Sequence, residues 1–153
     1  MFGIVPRPDS QDKDYLFRVA LKAVILNEKN EILVVKESGR DWWDLPGGGL
    51  DHGESLKQGL ARELLEEVGY EGDFTFDPIE VSEPQLLERL SLYQVRIMFL
   101  VKTDTLHFSR GRDSDAVEFV DPELFRNTDS HIDKEIYRYY QKALENKAKY
   151  HPN

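Results

Sequence analysis

The chain has 153 residues, no cysteine, 40% hydrophobic and 32% charged residues, and a formal net charge of -9. That is the size of one domain with a single core, and no apolar run approaches the roughly 18 residues that a bilayer crossing requires. Without cysteine there are no disulfides and no thiolate metal sites, so any bound metal is expected to be hard; the acidic balance, with no Lys/Arg cluster to track phosphates, argues against polymeric DNA or RNA as a partner.

Residues 1–16 read as an N-terminal arm, with Pro6 and Pro8 among polar neighbours, and residues 17–153 as a single domain. The arm has neither a basic start nor a continuous apolar stretch, so a cytoplasmic location is expected. Its apolar "FGIV" is a candidate for adding to a partner's sheet edge in a homodimer. Next, "FRVALKAVIL" from Phe17, the turn "NEKNE" and "ILVVKE" from Ile32 predict a hairpin. After "DWWDLP" and the glycines Gly47, Gly48 and Gly49, the recurrence of Leu56, Leu60, Leu64, Leu65 and Val68 predicts a helix from Glu54 to Val68 with one apolar face. "LYQVRIMFLVK" alternates Val95, Ile97, Phe99 and Val101 on one side, and "AVEFV" is a shorter strand expected in the same sheet. Ser130 followed by Asp133 predicts the capped start of a last helix whose Ile136, Tyr140 and Leu144 face the core.

The central helix carries the chemistry. Glu63, Glu66 and Glu67 are spaced three and four apart, so their carboxylates project from one helix face. At about 5.5 Å two such charges repel by roughly 3 kcal/mol at an effective dielectric near 20, so partial burial demands a cation. Mg²⁺ suits a cluster of this kind, because it accepts a few carboxylates and completes its shell with water and phosphate oxygens. The competing reading is a solvated acidic face, the usual fate of glutamate.

The surrounding pattern resembles the Nudix box of the Nudix hydrolase family, G-x5-E-x7-R-E-U-x-E-E-x-G-U with U apolar: Gly48, Glu54, Arg62, Glu63, Leu64, Leu65, Glu66, Glu67, Val68, Gly69 and Tyr70 occupy it in order. Only Tyr70 departs, where an aliphatic residue is usual. Seven fixed identities at background frequencies of about one in fifteen would coincide in roughly one window per 10⁸. The resemblance implies an α+β fold, an α/β/α sandwich with a mixed sheet containing antiparallel pairs. It also implies Mg²⁺-dependent hydrolysis, with Mn²⁺ able to substitute, of the diphosphate linkage in a small nucleoside diphosphate derivative. Glu66 and Glu67 would be metal ligands, Glu63 a further ligand or the base, and the Gly48 carbonyl part of the metal shell. Arg62 would pair with Glu54 to brace the loop, and Gly69 would supply the helix C-cap. A non-catalytic module that senses nucleotides is the alternative, although such modules usually lose box acids and none is lost here.

Outside the box, Asp113 is preferred over Asp115 and Glu118 as an extra acid, and Arg110 and Arg112 are candidates to clamp a phosphate. Trp42 could stack on a base or sugar, whereas Trp43 is expected to pack beneath the loop. His52 lies in the glycine loop and could touch substrate; His107, His131 and His151 have no companion at ligand spacing, which argues against a histidine metal site.

Overall fold

The computed structural model describes residues 4–6 and 13–150; Phe2 and Gly3 of the arm, and His151, lie outside the described residues. In chain order the elements are β1 (Ile4–Pro6), β2 (Lys13–Tyr15), β3 (Phe17–Val24), β4 (Ile32–Glu37), α1 (Leu56–Val68), β5 (Phe74–Val81), β6 (Gln85–Leu87), β7 (Leu92–Thr103), β8 (Ser114–Val120) and α2 (His131–Tyr150). The long strand β7 is the spine. β3 lies parallel along one side of it, while β5 and then β6 pair antiparallel with the other. β4 and β8 form a separate antiparallel pair, and β1 pairs with β2.

Alternation along β3 and β7 sends successive side chains to two cores. Leu21, Ala23, Phe99 and Val101 meet Leu60, Leu64 and Val68 of α1. Val24, Met98 and Leu100 meet Ile136, Tyr139 and Ala143 of α2. A helix therefore covers each face, and the sandwich is the α+β architecture expected. No helix among the described residues is long and apolar enough to cross a membrane.

The structure departs from the sequence reading in where the strands pair. The turn after β3 closes as expected, with Asn27 N–H donating to Glu31 O at 3.1 Å and Leu33 N–H to Ile25 O at 2.9 Å. Beyond the Leu26–Ile32 bridge, however, β3 and β4 do not form a ladder, because the segment 44–50 inserts between them. On one side Asp44 exchanges both backbone hydrogen bonds with Val35; on the other, Ala23 and Leu21 donate to Pro46 O and Gly48 O, and Leu50 donates to Val19 O. β8 consequently pairs with β4 rather than joining the sheet of β7. The helix faces are also narrower or shifted. Leu56 and Leu65 are exposed on α1, and the fully buried stripe of α2 runs through Ile136, Tyr139 and Ala143, with Tyr140 partly buried against the same core as expected. Strand β5, where Pro78 interrupts an otherwise strand-like run, is an addition to the elements expected.

Helix α1 is bounded by its own sequence. Ser55 Oγ accepts from Gln58 N–H at 3.1 Å and Gln58 Oε1 accepts from Ser55 N–H at 2.8 Å, a reciprocal capping box. At the other end Gly69 adopts φ 63°, the left-handed conformation that closes helices. Tyr70, the one departure from the box pattern, is buried; its hydroxyl donates to Asp73 O at 2.6 Å and its ring lies 5.5 Å from that of Phe108. A phenol fits where an aliphatic residue is usual because its polar end is satisfied. Ser55→Ala is expected to lower unfolding stability by about 1 kcal/mol and Ser55→Gly by only a few tenths, read from urea midpoints.

Candidate active site

The site forms where the glycine segment adds to the free edge of β3 and meets α1. Gly47 has φ 130°, and a Cβ there would lie 2.0 Å from Leu21 O, so only glycine lets the segment lie so close to β3. A Cβ on Gly48 would lie 2.8 Å from Glu63 Oε1, in the space against which that carboxylate packs. The Gly48 carbonyl already accepts from Leu21 N–H at 2.8 Å, which leaves one lone pair for a ligand.

Three carboxylates of α1 face this segment. Glu63 and Glu67 are buried at 8% and 5% exposure, unusual for glutamate. Glu67 Oε2 accepts from Gly47 N–H at 2.7 Å, yet burial outweighs this bond and the nearby Lys22 charge, and its carboxyl is pushed up to about 8. Burial likewise raises Glu63, against the opposing pull of Arg62. The Arg62 guanidinium spans the site: Nε and Nη2 donate to the two oxygens of Glu54 at 2.7 and 3.1 Å, Nη2 to Gly49 O at 2.9 Å, and Nη1 to Glu63 Oε1 at 2.7 Å. This forked hydrogen bonding, followed by the bond from Asp51 N–H, holds Glu54 below its ordinary range. Glu66 accepts from Arg112 at 2.5 Å and, more weakly, from Arg62 at 3.4 Å.

The loop before β8 completes the assembly by satisfying the open C-terminal end of α1. Asp113, Gly111 and Ser109 donate backbone N–H groups to Glu66 O, Glu67 O and Val68 O, and Ser114 Oγ donates to Glu67 O at 2.6 Å. This capping brings Arg112 and Asp113 alongside the box acids. Together these elements enclose a cavity of about 740 Å³ with Glu63, Glu66, Glu67 and Asp113 in its wall.

The NUDIX domain model matches residues 16–140. The chain belongs to the Nudix family. It is 51% identical over 47 residues to a putative 8-oxo-dGTP diphosphatase of Bacillus subtilis, covering 31% of this chain and 32% of the relative. It is 45% identical over 53 residues to an RNA pyrophosphohydrolase of Ruthia magnifica, covering 35% of this chain and 30% of that one. The chain thus spans about a third of the length of these curated relatives. Among solved structures, the MutT protein of Methanosarcina mazei superimposes with a TM-score of 0.64 at 25% identity, over 86% of this chain and 96% of that one.

In this Nudix domain the donor set is all oxygen, and two of its acids are buried with their carboxyls raised by that burial, an arrangement that a hard cation would relieve. Among the described residues no three acidic or imidazole side chains yet converge as a ligand group; Arg62 and Arg112 occupy oxygens of Glu63 and Glu66. A cation held by Glu63, Glu66 and Glu67 would have to share those oxygens with, or take them from, the two arginines.

The candidates outside the box separate clearly. Asp113 lines the cavity, whereas the Asp115 carboxylate accepts from Gly39 N–H at 2.9 Å and Glu118 is exposed on β8. Arg110 reaches only Asp115 O, at 3.4 Å, and Arg112 is committed to Glu66. His52 is exposed and lines neither this cavity nor a smaller one beside it. Trp43 packs in the α2-side core, while Trp42 is 45% exposed at the smaller cavity. Sequence reading missed the cations. Arg18, Lys22, Arg40, Arg89 and Arg96 all line the main cavity. A signal for two of them was present: Arg18 and Lys22 lie four apart in the apolar strand β3 and so share one of its faces, and the register that sets Arg96 of β7 opposite Ala20 adds it to the same face.

Two measurements check this geometry. If Arg62 and Glu54 act as a unit, Glu54→Gln and Arg62→Ala combined should lower activity no further than the worse single variant, within roughly twofold. Glu67 gives a pH test in the metal-free protein. The unfolded chain releases its proton near 4.5 and the folded one near 8, so the folded state binds more protons between these values and loses stability as pH rises. Urea midpoints measured with a chelator should therefore favour Glu67→Gln over the parent progressively from about pH 5 to 8, and no pH-dependent difference would refute the buried, protonated carboxyl.

Proposed function

We propose that the protein is a divalent-metal-dependent hydrolase that cleaves the diphosphate linkage of a nucleoside diphosphate joined to another moiety. The observation that carries this reading is one cavity in which the box acids face Arg18, Lys22, Arg40, Arg89 and Arg96. Acids alone would repel a diphosphate, and arginines alone would bind one without hydrolysing it. The names of the relatives, a putative diphosphatase and a pyrophosphohydrolase, point to the same reaction class. The net charge of -9 favours a small anion, held by the cations inside this cavity, over a polymer.

Glu63, Glu66 and Glu67 would hold Mg²⁺, or Mn²⁺ in its place. When bound, the metal supplies charge to polarise the phosphoryl group and to activate water. Arg62 fixes Glu63 by one oxygen, Oε1, so that Oε2 is the atom free to take a proton from the attacking water or to serve as a ligand. Burial raises the carboxyl of Glu63, which brings it toward the range useful for a general base. Arg62 and Glu54 brace the glycine segment, and Arg18 and Arg89 are available for phosphate oxygens.

Glu63→Gln keeps the shape and removes the charge, so kcat is expected to fall by at least about a hundredfold while KM changes by less than roughly threefold. Steady-state kinetics against a panel of nucleotides and nucleotide sugars with Mg²⁺ or Mn²⁺ provides the check. An unmodified protein that binds nucleotides tightly yet releases no phosphorylated product from any of them would establish the sensing module instead.

A further inference from the structure

Beside the main cavity lies a second one of about 270 Å³. Lys22, Arg40, Asp44 and Arg96 line both, so the two spaces adjoin. One wall is a face of α2, with Ile132, Glu135, Ile136 and Tyr139, and Trp42 is also part of the lining. The Trp42 ring is 45% exposed, and the Arg40 guanidinium sits 5.5 Å from its centroid. Ligand sites start at about 300 Å³, so this volume suits one ring system rather than a whole nucleotide.

Glu135 has no part in the proposed chemistry, and Arg96, which lines both cavities, is paired with it here. Arg96 is anchored by its backbone, which donates to Ser82 Oγ at 2.9 Å and accepts from Ser82 N–H at 2.8 Å. Its Nη1 donates to Glu135 Oε2 at 3.0 Å. Its Nε is enclosed without a hydrogen-bond partner, so among the described residues the guanidinium is held to protein through Nη1 alone. Glu135 likewise keeps Oε1 and further lone pairs in reserve, because a carboxylate accepts about four bonds.

Building on the diphosphate-hydrolase reading, we propose that this second cavity takes the base of the substrate and that Glu135 and Arg96, with Trp42 stacked on the ring, select guanine. A carboxylate only accepts and a guanidinium only donates. The pair therefore calls for an edge with two adjacent N–H donors beside an acceptor. Guanine offers N1–H and the N2 amino group to Glu135, and O6 or N7 to Arg96. Adenine and cytosine would turn a ring-nitrogen lone pair toward the carboxylate, and uracil offers one N–H flanked by two carbonyls. Ile132 and the indole provide apolar surface for the ring faces, while the shared wall leads from the base toward the box acids in the main cavity.

The test uses two probes. Titration of the full-length protein with GMP and AMP, without metal and followed by calorimetry, reads base selection apart from chemistry. Hydrolysis of GTP, ATP, UTP and CTP with Mg²⁺ reads the reaction. GMP is expected to bind at least about tenfold tighter than AMP, each mispaired group costing roughly that factor. Glu135→Gln should reduce the GMP/AMP ratio below about threefold, with the loss in turnover appearing in KM more than in kcat, since its amide can present a donor to adenine. Trp42→Ala, at a position 45% exposed, should weaken GMP by at least about fivefold while the urea midpoint of unfolding stays close to the parent's. Equal binding of GMP and AMP, or a preference that survives Glu135→Gln, would overturn the proposal. Hydrolysis without base preference defeats this inference and leaves the hydrolase reading standing. GMP-selective binding, lost in Glu135→Gln, without hydrolysis of any probe does the reverse.

Discussion

The structure depends on a buried ammonium. Lys22 Nζ, on β3, donates to Asp44 Oδ2 at 3.1 Å, Leu45 O at 3.0 Å and Gly47 O at 3.0 Å, so all three of its donors are used. A charge taken out of water costs several kcal/mol unless it is paired and fully hydrogen-bonded, and this one is both. Burial works to lower its pKa, but Asp44, Glu67 and Glu37 together outweigh that and hold it above its ordinary value. The ammonium thereby clasps the segment 44–50 against β3. With that segment in place, the Gly47 N–H points at Glu67, and Glu63 packs against Gly48.

The same clasp explains the sheet. A segment that takes up hydrogen bonds from β3 on one side and from Val35 on the other keeps the two strands of the expected hairpin apart. β4 is then free to pair with β8, which sets the loop before β8 against the C-terminal end of α1. The site is thus a by-product of satisfying backbone groups: the open carbonyls of Glu66, Glu67 and Val68 recruit the loop, and the loop carries Asp113 and Arg112. Arg62 does for the other side of the glycine loop what this loop does for the end of the helix, tying Glu54 and Gly49 to α1.

The main cavity brings charges of both signs together: Glu63, Glu66 and Glu67 come from α1 and Glu37 from the end of β4, while Arg18 and Lys22 come from β3 and Arg96 from β7. A chain with a net charge of -9 can still offer an anion five cations inside a cavity whose wall also carries acids, because fields at short range are set by the nearest neighbours and not by the total. The second cavity holds a further pair of opposite charges, Arg96 of β7 and Glu135 of α2, with Trp42 also in its lining.

The box acids were legible in the sequence because their arrangement is local. A period of 3.6 residues alone puts Glu63, Glu66 and Glu67 on one face, and the spacing of Gly48, Glu54, Arg62 and Gly69 identifies the family without reference to any distant contact. The two helices were visible for the same reason, although their buried stripes, such as Ile136, Tyr139 and Ala143, depend on the angle at which each packs. Strand partners were not legible, since nothing local in "FRVALKAV" says that its neighbours are a glycine segment and a parallel strand from residue 92 onward. Arg18 bonds to Gln94, 76 positions away, and Arg96 bonds to Glu135, 39 away. Those pairings rest on register between strands and on how α2 lies over the sheet. Local periodicity therefore determined which residues carry the negative charge, and only the tertiary structure decided which cations stand opposite them, because that choice is made by contacts between elements far apart in the chain.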